Sequence, residues 1–358
     1  MSDARGPHIF QPARPLADPS VRRVAVVRLR VGLGDLLASV PALRALRQAR
    51  PDAHVTLVTW PEVAPVIQRQ RAYVDELLAF PGHPGIPERP PWPLDAFVAE
   101  CRRREFDLAI QMHGRAAAAN EVNALVGARR TSGFVKAGAI DVDLATHLPY
   151  PERQPEVHRH LELVRFLGVP AEDATLEFPL DEEDRAGATA LLGQHRRAPY
   201  VVFHVGATAA SRRWPPERFA VVADRLAGTG RTIVLVGVEA ERDMVRRAAS
   251  AMTAAALDLC GRTSLGELGA LLADADLVVG NDSGPAHLAI AVGTPTVTVY
   301  LAGDPLRWAP RDNRRHRVIA AHVTCRPCTL SRCPIDFRCA TAVDPGAVAD
   351  EALHLLAS

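Results

Sequence analysis

Three short turns and one cysteine run hold the side chains best suited to chemistry. The first turn, Gly32-Leu33-Gly34-Asp35, follows a short apolar run and precedes a helical pattern. Gly32 and Gly34 allow a backbone to turn tightly and approach a phosphate closely. Asp35 then stands where a strand gives way to a helix. It reads either as a general base or as an ordinary N-terminal charge or cap. The full dinucleotide fingerprint is absent, because Leu37 occupies the place of its third glycine.

The second turn is Asn281-Asp282-Ser283-Gly284-Pro285-Ala286-His287. Free N–H groups at a helix start and the helix dipole suit an anion such as phosphate. Ser283 adds a hydroxyl, Gly284 allows close approach, and Pro285 has no N–H to give. The alternative is a self-capped helix with His287 packed in the core. The third turn runs from His204 through Gly206 and Thr208 to Ser211-Arg212-Arg213, just before Trp214-Pro215. An arginine there offers a permanently charged, bidentate clamp for phosphate. Alternatively the arginines are a solvated pair and Trp214 a hydrophobic staple.

Cys325, Cys328, Cys333 and Cys339 fall within fifteen residues, spaced C-x2-C-x4-C-x5-C. Such clustering suits a tetrahedral sulfur site for a structural metal, set apart from the chemistry; reversible disulfides or idle thiols are the alternatives. Cys101 and Cys260 read as buried inert thiols.

Positioning these turns requires alternating strands and helices. Strand-like runs are expected at Val24–Leu29, His54–Val58, Phe106–Ile110, Tyr200–His204, Thr232–Val236, Leu277–Val279 and Thr296–Tyr300. Helical patterns lie between them. Pro41 is placed in a first turn with Ser39 as cap, or within a kinked longer helix. Pro215-Pro216 opens another helix, which Gly228 and Gly230 close, and Ser264 with Glu267 has capping-box spacing. This alternation means parallel sheets built from βαβ units, whose ligand sites lie at the carboxyl ends of the strands. Residues 170–199 lack either rhythm, so the domain boundary is placed there, at 178/179. The Pro-rich stretch 80–93 reads as a functional or disordered loop facing an acceptor.

The 358 residues suggest two domains, each able to bury a core without disulfides. A net charge of +1 argues against nucleic acid as the main partner. Residues 1–20 are polar and proline-rich and read as a disordered tail without a secretory signal. No run is apolar and long enough for a transmembrane helix, so a cytoplasmic protein is expected, at most peripheral to the inner membrane.

Together the segments Gly34-Asp35 with Pro41-Ala42-Leu43, Arg212-Arg213-Trp214-Pro215 and Asp282-Ser283-Gly284-Pro285-Ala286-His287 resemble the family 9 glycosyltransferases, the ADP-heptose:lipopolysaccharide heptosyltransferase family. The resemblance spans residues 24–355. It implies a GT-B fold: two Rossmann-like α/β domains facing across a cleft. Residues 21–178 would serve the acceptor side. Residues 179–358 would hold the nucleotide-sugar, with a final helix crossing back. It further implies inverting, metal-independent transfer of a heptose or related sugar, from a donor such as ADP-heptose to a lipopolysaccharide-core or other surface glycan.

Carried over residue by residue, the family's catalytic aspartate matches Asp35. Its phosphate-binding lysine matches Arg212, a natural exchange in a chain whose one lysine is Lys136. The phosphate turn matches Asp282, Ser283 and Gly284, with His287 beside it. Thr208 falls in the donor loop, and Glu239 and Glu241 both qualify for the nucleoside contact. No cofactor is implied for catalysis; zinc or iron is expected at the cysteines, because an autotransporter-modifying branch is associated with iron there. The competing readings are that protein-modifying branch, a nucleotide-sugar epimerase of the same fold, and a non-catalytic nucleotide-sugar-binding module.

Overall fold

Residues 13–86, 93–139 and 142–358 are described by the computed structural model. The strand runs behave as buried parallel strands should. In β1 (Arg23–Val27) every residue from Val24 to Val27 is fully buried, as a strand covered on both faces requires. After β1 come helices α1 (Leu33–Leu37) and α2 (Val40–Ala49), strands β2 (His54–Thr59), β3 (Glu76–Ala79) and β4 (Leu108–Gln111), helix α3 (Ala117–Leu125), strands β5 (Arg130–Val135) and β6 (His147–Pro149), and helix α4 (Glu156–Phe166). The six strands form one parallel sheet in the order β3-β2-β1-β4-β5-β6.

The second sheet repeats the pattern. Its principal elements are α5 (Glu182–Leu192), β7 (Tyr200–His204), α6 (Pro216–Ala227), β8 (Thr232–Val236), α7 (Arg242–Ala251), β9 (Ala256–Asp258), α8 (Leu265–Ala273), β10 (Leu277–Asn281), α9 (Gly284–Ala291), β11 (Thr296–Val299), β12 (His316–Ile319) and α10 (Pro345–Ala357). The strands are again all parallel, ordered β12-β11-β10-β7-β8-β9. Strand order reverses between β1 and β4 in the first sheet and between β7 and β10 in the second. These are the places where a doubly wound sheet opens a crevice for ligand.

The chain forms two compact units. One takes the residues up to Val31 and Ala38–Ala174; the other takes Gly32–Leu37 and Thr175–Ser358. The short segment that carries Asp35 therefore packs with the second unit, although the first unit flanks it on both sides in sequence. Its anchors are apolar: Leu37 is buried in the core of the second unit, and Leu33 packs against it.

Several local expectations hold at atomic detail. Ser264 Oγ accepts from the Glu267 N–H at 3.2 Å, and Glu267 Oε2 accepts from the Ser264 N–H at 2.6 Å, closing the capping box of α8. Others do not. Ser39 makes no side-chain cap on α2; the chain instead runs from α1 into α2 through a two-residue turn. The stretch 170–199 contains α5, capped reciprocally by Asp181 and Asp184. It buries few apolar residues, Ala188 and Leu192 among them, so its periodicity is weak.

Within the expected tail, residues 13–20 are docked. Leu16 is buried, its N–H bonds to Leu167 O at 2.9 Å, and Arg50 donates to the carbonyls of Leu16 and Asp18. The rest of that tail, and residues 87–92 of the Pro-rich stretch, lie outside the described residues. The final helix α10 also departs from expectation. It buries Val348, Ala349 and Ala352 in the core that α6 and the second sheet share, and Arg225 of α6 donates to Asp350 at 2.7 Å. Among the described residues no helix is long and apolar enough to cross a membrane.

Candidate functional site

One fully buried amide organises the second unit's crevice. At the end of β10, Asn281 Nδ2 donates to the carbonyls of Val205 and Gly206, each at 3.0 Å. Its Oδ1 accepts the Trp214 N–H at 3.0 Å. The turn after β10 is thereby tied to the turn after β7. Trp214 completes the brace: it is fully buried, meets Phe219 edge-on with centroids 4.9 Å apart, and donates Nε1–H to Ala340 O at 3.2 Å. The staple reading of Trp214 is therefore correct.

Asp282 sits at the centre of the crevice with 2% of its surface exposed. Its Oδ1 is 3.6 Å from His287 Nε2, and its Oδ2 is 3.6 Å from Arg212 Nη1. A Cβ at Gly303 would come within 2.1 Å of Asp282 Oδ2, so only glycine fits beside this carboxylate. Burial, then the charge of Asp282, pushes the Tyr300 phenol well above its ordinary pKa. The two arginines of the third turn part company. Arg212 keeps 40% of its side chain exposed beside Asp282. Arg213 instead donates Nε–H to Ala207 O at 2.7 Å and Nη2–H to Thr208 O at 3.3 Å, which holds the loop's own shape. Thr208 itself is exposed.

His204, at the carboxyl end of β7, joins the other polar groups. Its Nδ1 is 3.0 Å from Ser283 Oγ and its Nε2 is 3.1 Å from Glu241 Oε2. Glu241 also accepts the Val238 N–H at 3.0 Å. Burial opposes its charge, but the bond to His204, that residue's charge and the Val238 N–H hold its pKa below the ordinary value. Its Oε1 lies over Gly206, where a Cβ would collide at 1.9 Å. Glu239 points elsewhere: it is an exposed partner of Arg242, at 2.7 and 2.6 Å. Reasoning from spacing missed the role of His204. The signal available was a titratable residue ending a central strand at the reversal of strand order.

Helix α1 lies along α9. A Cβ on Gly34 would fall 2.5 Å from the His287 ring, and one on Gly284 would lie 3.1 Å from Leu33 Cβ. Gly32 is covered by the Asp35 carboxylate itself, 2.7 Å from a Cβ placed there. Gly32 and Gly34 are not among the glycines with positive φ. Gly34 is thus needed for the close packing of α1 against the His287 ring, and neither glycine takes the left-handed backbone of a tight glycine turn. Asp35 is half-buried in the first turn of α1. The structure thus brings Asp35, Asp282, Ser283, Gly284 and His287 onto two touching helix starts, with Arg212 and Glu241 joined to them through Asp282 and His204.

Comparison with known proteins gives the family. The family model "Glycosyltransferase family 9 (heptosyltransferase)" matches residues 95–337. The chain belongs to glycosyltransferase family 9. Among curated relatives, lipopolysaccharide heptosyltransferase 3 of Escherichia coli is 26% identical over 304 residues, covering 78% of this chain and 84% of the relative. Among solved structures, a family 9 glycosyl transferase from Veillonella parvula superposes with a TM-score of 0.79 at 21% identity, covering 94% and 98% of the two chains. The E. coli heptosyltransferase WaaC, solved with ADP-2-deoxy-2-fluoro heptose, gives 0.64 at 22% identity, covering 93% and 99%. The α/β architecture of two six-stranded parallel sheets is thus the GT-B fold of this family.

In this family 9 enzyme the cysteine run is not gathered as a ligand set. Cys325 is exposed, Cys328 and Cys333 are half-buried and Cys339 is buried, all as free thiols. Among the described residues no three His, Cys, Asp or Glu side chains are grouped to hold a metal ion. Burial and then the neighbouring Cys325 and Cys333 raise the Cys339 pKa. Cys328 is held separately, its N–H bonded to Ala302 O at 2.8 Å. The segment also touches the turn that carries Arg212. Ser211 donates its N–H to Ser331 O at 2.9 Å and its hydroxyl to Leu330 O at 2.6 Å, one residue before Arg212.

Two Asp-x-Asp pairs, the usual form of a metal–diphosphate clamp, occur in the sequence. Asp274 and Asp276 precede β10, at the edge of the sheet opposite the site, paired with Arg185 and Arg231. Asp143 bonds within its own turn, and Asp141 lies outside the described residues.

Proposed function

We propose that this family 9 enzyme is an inverting transferase. It would move a heptose from ADP-heptose to a hydroxyl of a lipopolysaccharide core or a similar surface glycan. The observation that carries this reading is the packing of α1, with Asp35, onto the α9 start. That start has Ser283, the Gly284 N–H and the Arg212 guanidinium around it. A base and an anion site are thereby held together. The curated relative's name gives the acceptor class, and the ligand of the WaaC structure gives the donor class.

In the proposed step Asp35 takes the proton of an acceptor hydroxyl as its oxygen attacks the anomeric carbon. The bond from that carbon to the pyrophosphate oxygen breaks on the opposite face. The leaving nucleoside diphosphate is stabilised by Arg212 and by the N–H groups that open α9. Asp282 would act on Arg212 and His287 rather than on phosphate, since a carboxylate facing phosphate would repel it. Of the two glutamates, Glu241 is assigned to the nucleoside, because it joins the His204–Ser283 network at the strand ends, whereas Glu239 is an exposed partner of Arg242. Residues 21–178 are assigned to the acceptor and 179–358 to the donor, with work at the inner face of the cytoplasmic membrane. No cofactor takes part in the step. A structural zinc or iron at the cysteine run would be held by the thiolates of Cys325, Cys328, Cys333 and Cys339. Elemental analysis of protein purified without added metal tests that point, and sub-stoichiometric zinc and iron rule it out.

The functional test is incubation with ADP-heptose, with and without a heptose-deficient lipopolysaccharide acceptor. Product that forms only with acceptor supports the reading. Isomerised nucleotide-sugar without acceptor would make the protein an epimerase. Binding without any conversion would make it a binding module.

A further inference from the structure

The middle of the second sheet runs β11-β10-β7-β8, and that order also sets the order of the loops at its carboxyl ends. Glu241 follows β8, His204 ends β7 and Ser283 follows β10. They are joined in the same sequence, Glu241 to His204 at 3.1 Å and His204 to Ser283 at 3.0 Å. A nucleoside diphosphate with its nucleoside at Glu241 and its phosphates at Ser283 and Arg212 thus runs from β8 toward β10. Whatever is bonded to its terminal phosphate continues toward β11. The loop after β11 is built against the same turn, since a Cβ at Gly303 would come within 2.1 Å of Asp282 Oδ2. Asp304 then starts a one-turn helix, Pro305–Trp308. Its Oδ1 accepts the Leu306 N–H at 3.0 Å and its carbonyl the Trp308 N–H at 3.0 Å.

That turn brings the Trp308 ring against His287, with centroids 5.8 Å apart and planes inclined by 62°. The Arg307 guanidinium lies over the same indole, its Cζ 4.8 Å from the ring centroid. Trp60 and Trp214, the other described tryptophans, are fully buried in the cores, whereas Trp308 stays half-buried despite both contacts. The His287 ring is also the one that α1 meets at Gly34, so Trp308 lies one ring away from the helix that carries Asp35. We infer that Trp308 selects the sugar of the donor. Its indole, held by Arg307 and His287, packs against the C–H face of the sugar attached to the terminal phosphate. Those C–H groups are the apolar part of a sugar, and an indole offers a large apolar surface with an electron-rich face. The inference deepens the donor reading proposed above and rests on it. ADP alone ends short of Trp308, so the contact is made by the sugar-bearing donor only.

The test is calorimetric titration of the full chain with ADP and, separately, with ADP-heptose, both without acceptor. Trp308→Leu and Trp308→Met fill the place without an aromatic face, and either suffices if the other does not fold. Trp308→Phe keeps such a face. Both aliphatic variants are expected to bind ADP-heptose about three- to tenfold more weakly than wild type, with ADP affinity unchanged. Trp308→Phe is expected to recover most of that loss. Equal losses for the two ligands would mean that Trp308 only supports the shape of the site through His287. No loss for either ligand would leave Trp308 without a sugar contact. A loss read only as a higher KM for the acceptor would seat the acceptor's sugar there instead. Each of these three results would overturn the assignment of Trp308 while leaving the donor reading standing. Wild type that binds ADP but not ADP-heptose would overturn the donor reading itself, and the assignment with it.

Discussion

The two sheets share a topology and treat their crevices in opposite ways. In the first, the residue after β1 is Arg28, fully buried, and it faces Glu156 of α4 at 3.7 Å. Glu156 also accepts from Arg159 at 2.9 Å and from the Tyr150 hydroxyl at 3.3 Å, and Arg28 donates to Met112 O at 2.9 Å. These charged groups pair with one another away from water, with Glu156 and Arg159 no more than 3% exposed. In the second sheet the residue that ends β7 is His204, and its network runs outward to half-exposed Ser283 and to Arg212. Identical strand order thus yields a buried ion cluster in one unit and, in the other, a partly exposed polar network, the proposed anion site. The difference lies in the residues just past the strands, since the strands themselves are alike in pattern and burial.

The comparison breaks most sharply at Asp35. Asparagine keeps the shape and most hydrogen bonding of the aspartate but takes no proton. Asp35→Asn is expected to lose roughly 10²–10⁴-fold in transfer rate with an unchanged melting curve and nearly unchanged ADP binding. A mere helix cap would tolerate the change, since Asn and Asp rank alike as caps. Near-wild-type turnover would therefore remove the base from Asp35. Glu156→Ala is expected to do the reverse. It leaves Arg28 and Arg159 buried without their carboxylate, a loss of about 3–5 kcal/mol of stability. Thermal or urea unfolding should show it, while ADP affinity measured below the melting transition stays put. Wild-type stability in this variant would mean that the cluster is not sealed.

A smaller effect is expected at the donor loop. Removing a charge-assisted contact costs about 1.5–3 kcal/mol, so Arg212→Ala should lower kcat/KM for donor by about ten- to a hundredfold. Arg213→Ala should cost clearly less, because Arg213 donates to the loop carbonyls of Ala207 and Thr208. Equal losses in the two variants would dissolve the distinction between clamp and brace.

How much of this was legible beforehand follows the same division. Strands such as Tyr200–His204 and Thr232–Val236 were readable to the residue, because continuous β-branched runs between turns have one good solution in a parallel sheet. The three turns were readable because glycine, serine and arginine before a helix have few other uses. What stayed hidden were long-range pairings. Nothing local tells that Glu241 rather than Glu239 reaches His204 across 37 positions. Nor does spacing reveal that Gly34 makes room for His287, or that Ser211 leans on Leu330. The docking of residues 13–20 was equally invisible, because one buried leucine in a proline-rich segment carries no periodicity.

The finest test of the sealed unit is its response to acid, and it turns on His113, just past β4. Burial first, then the charges of Arg30 and Arg28, hold its imidazole down at about 3. Its Nδ1 is buried without a hydrogen-bond partner. The unfolded chain binds a proton there near pH 6.5, whereas the folded unit excludes it. The unfolded state therefore holds more protons between those values, and stability falls as pH falls through that window. The contribution is fully present above about pH 6.5 and declines by about 1.4 kcal/mol per pH unit below it, levelling off toward pH 3. His147 and His316, also lowered by burial, act in the same direction. The informative quantity is thus the difference between wild type and His113→Gln, which removes one titrating group. Urea unfolding at pH 7.5 and pH 5.5 should show a smaller loss in the variant, by about 1 kcal/mol. Equal losses would mean that His113 reaches water in the folded state, and the crevice of the first sheet would then be open like that of the second.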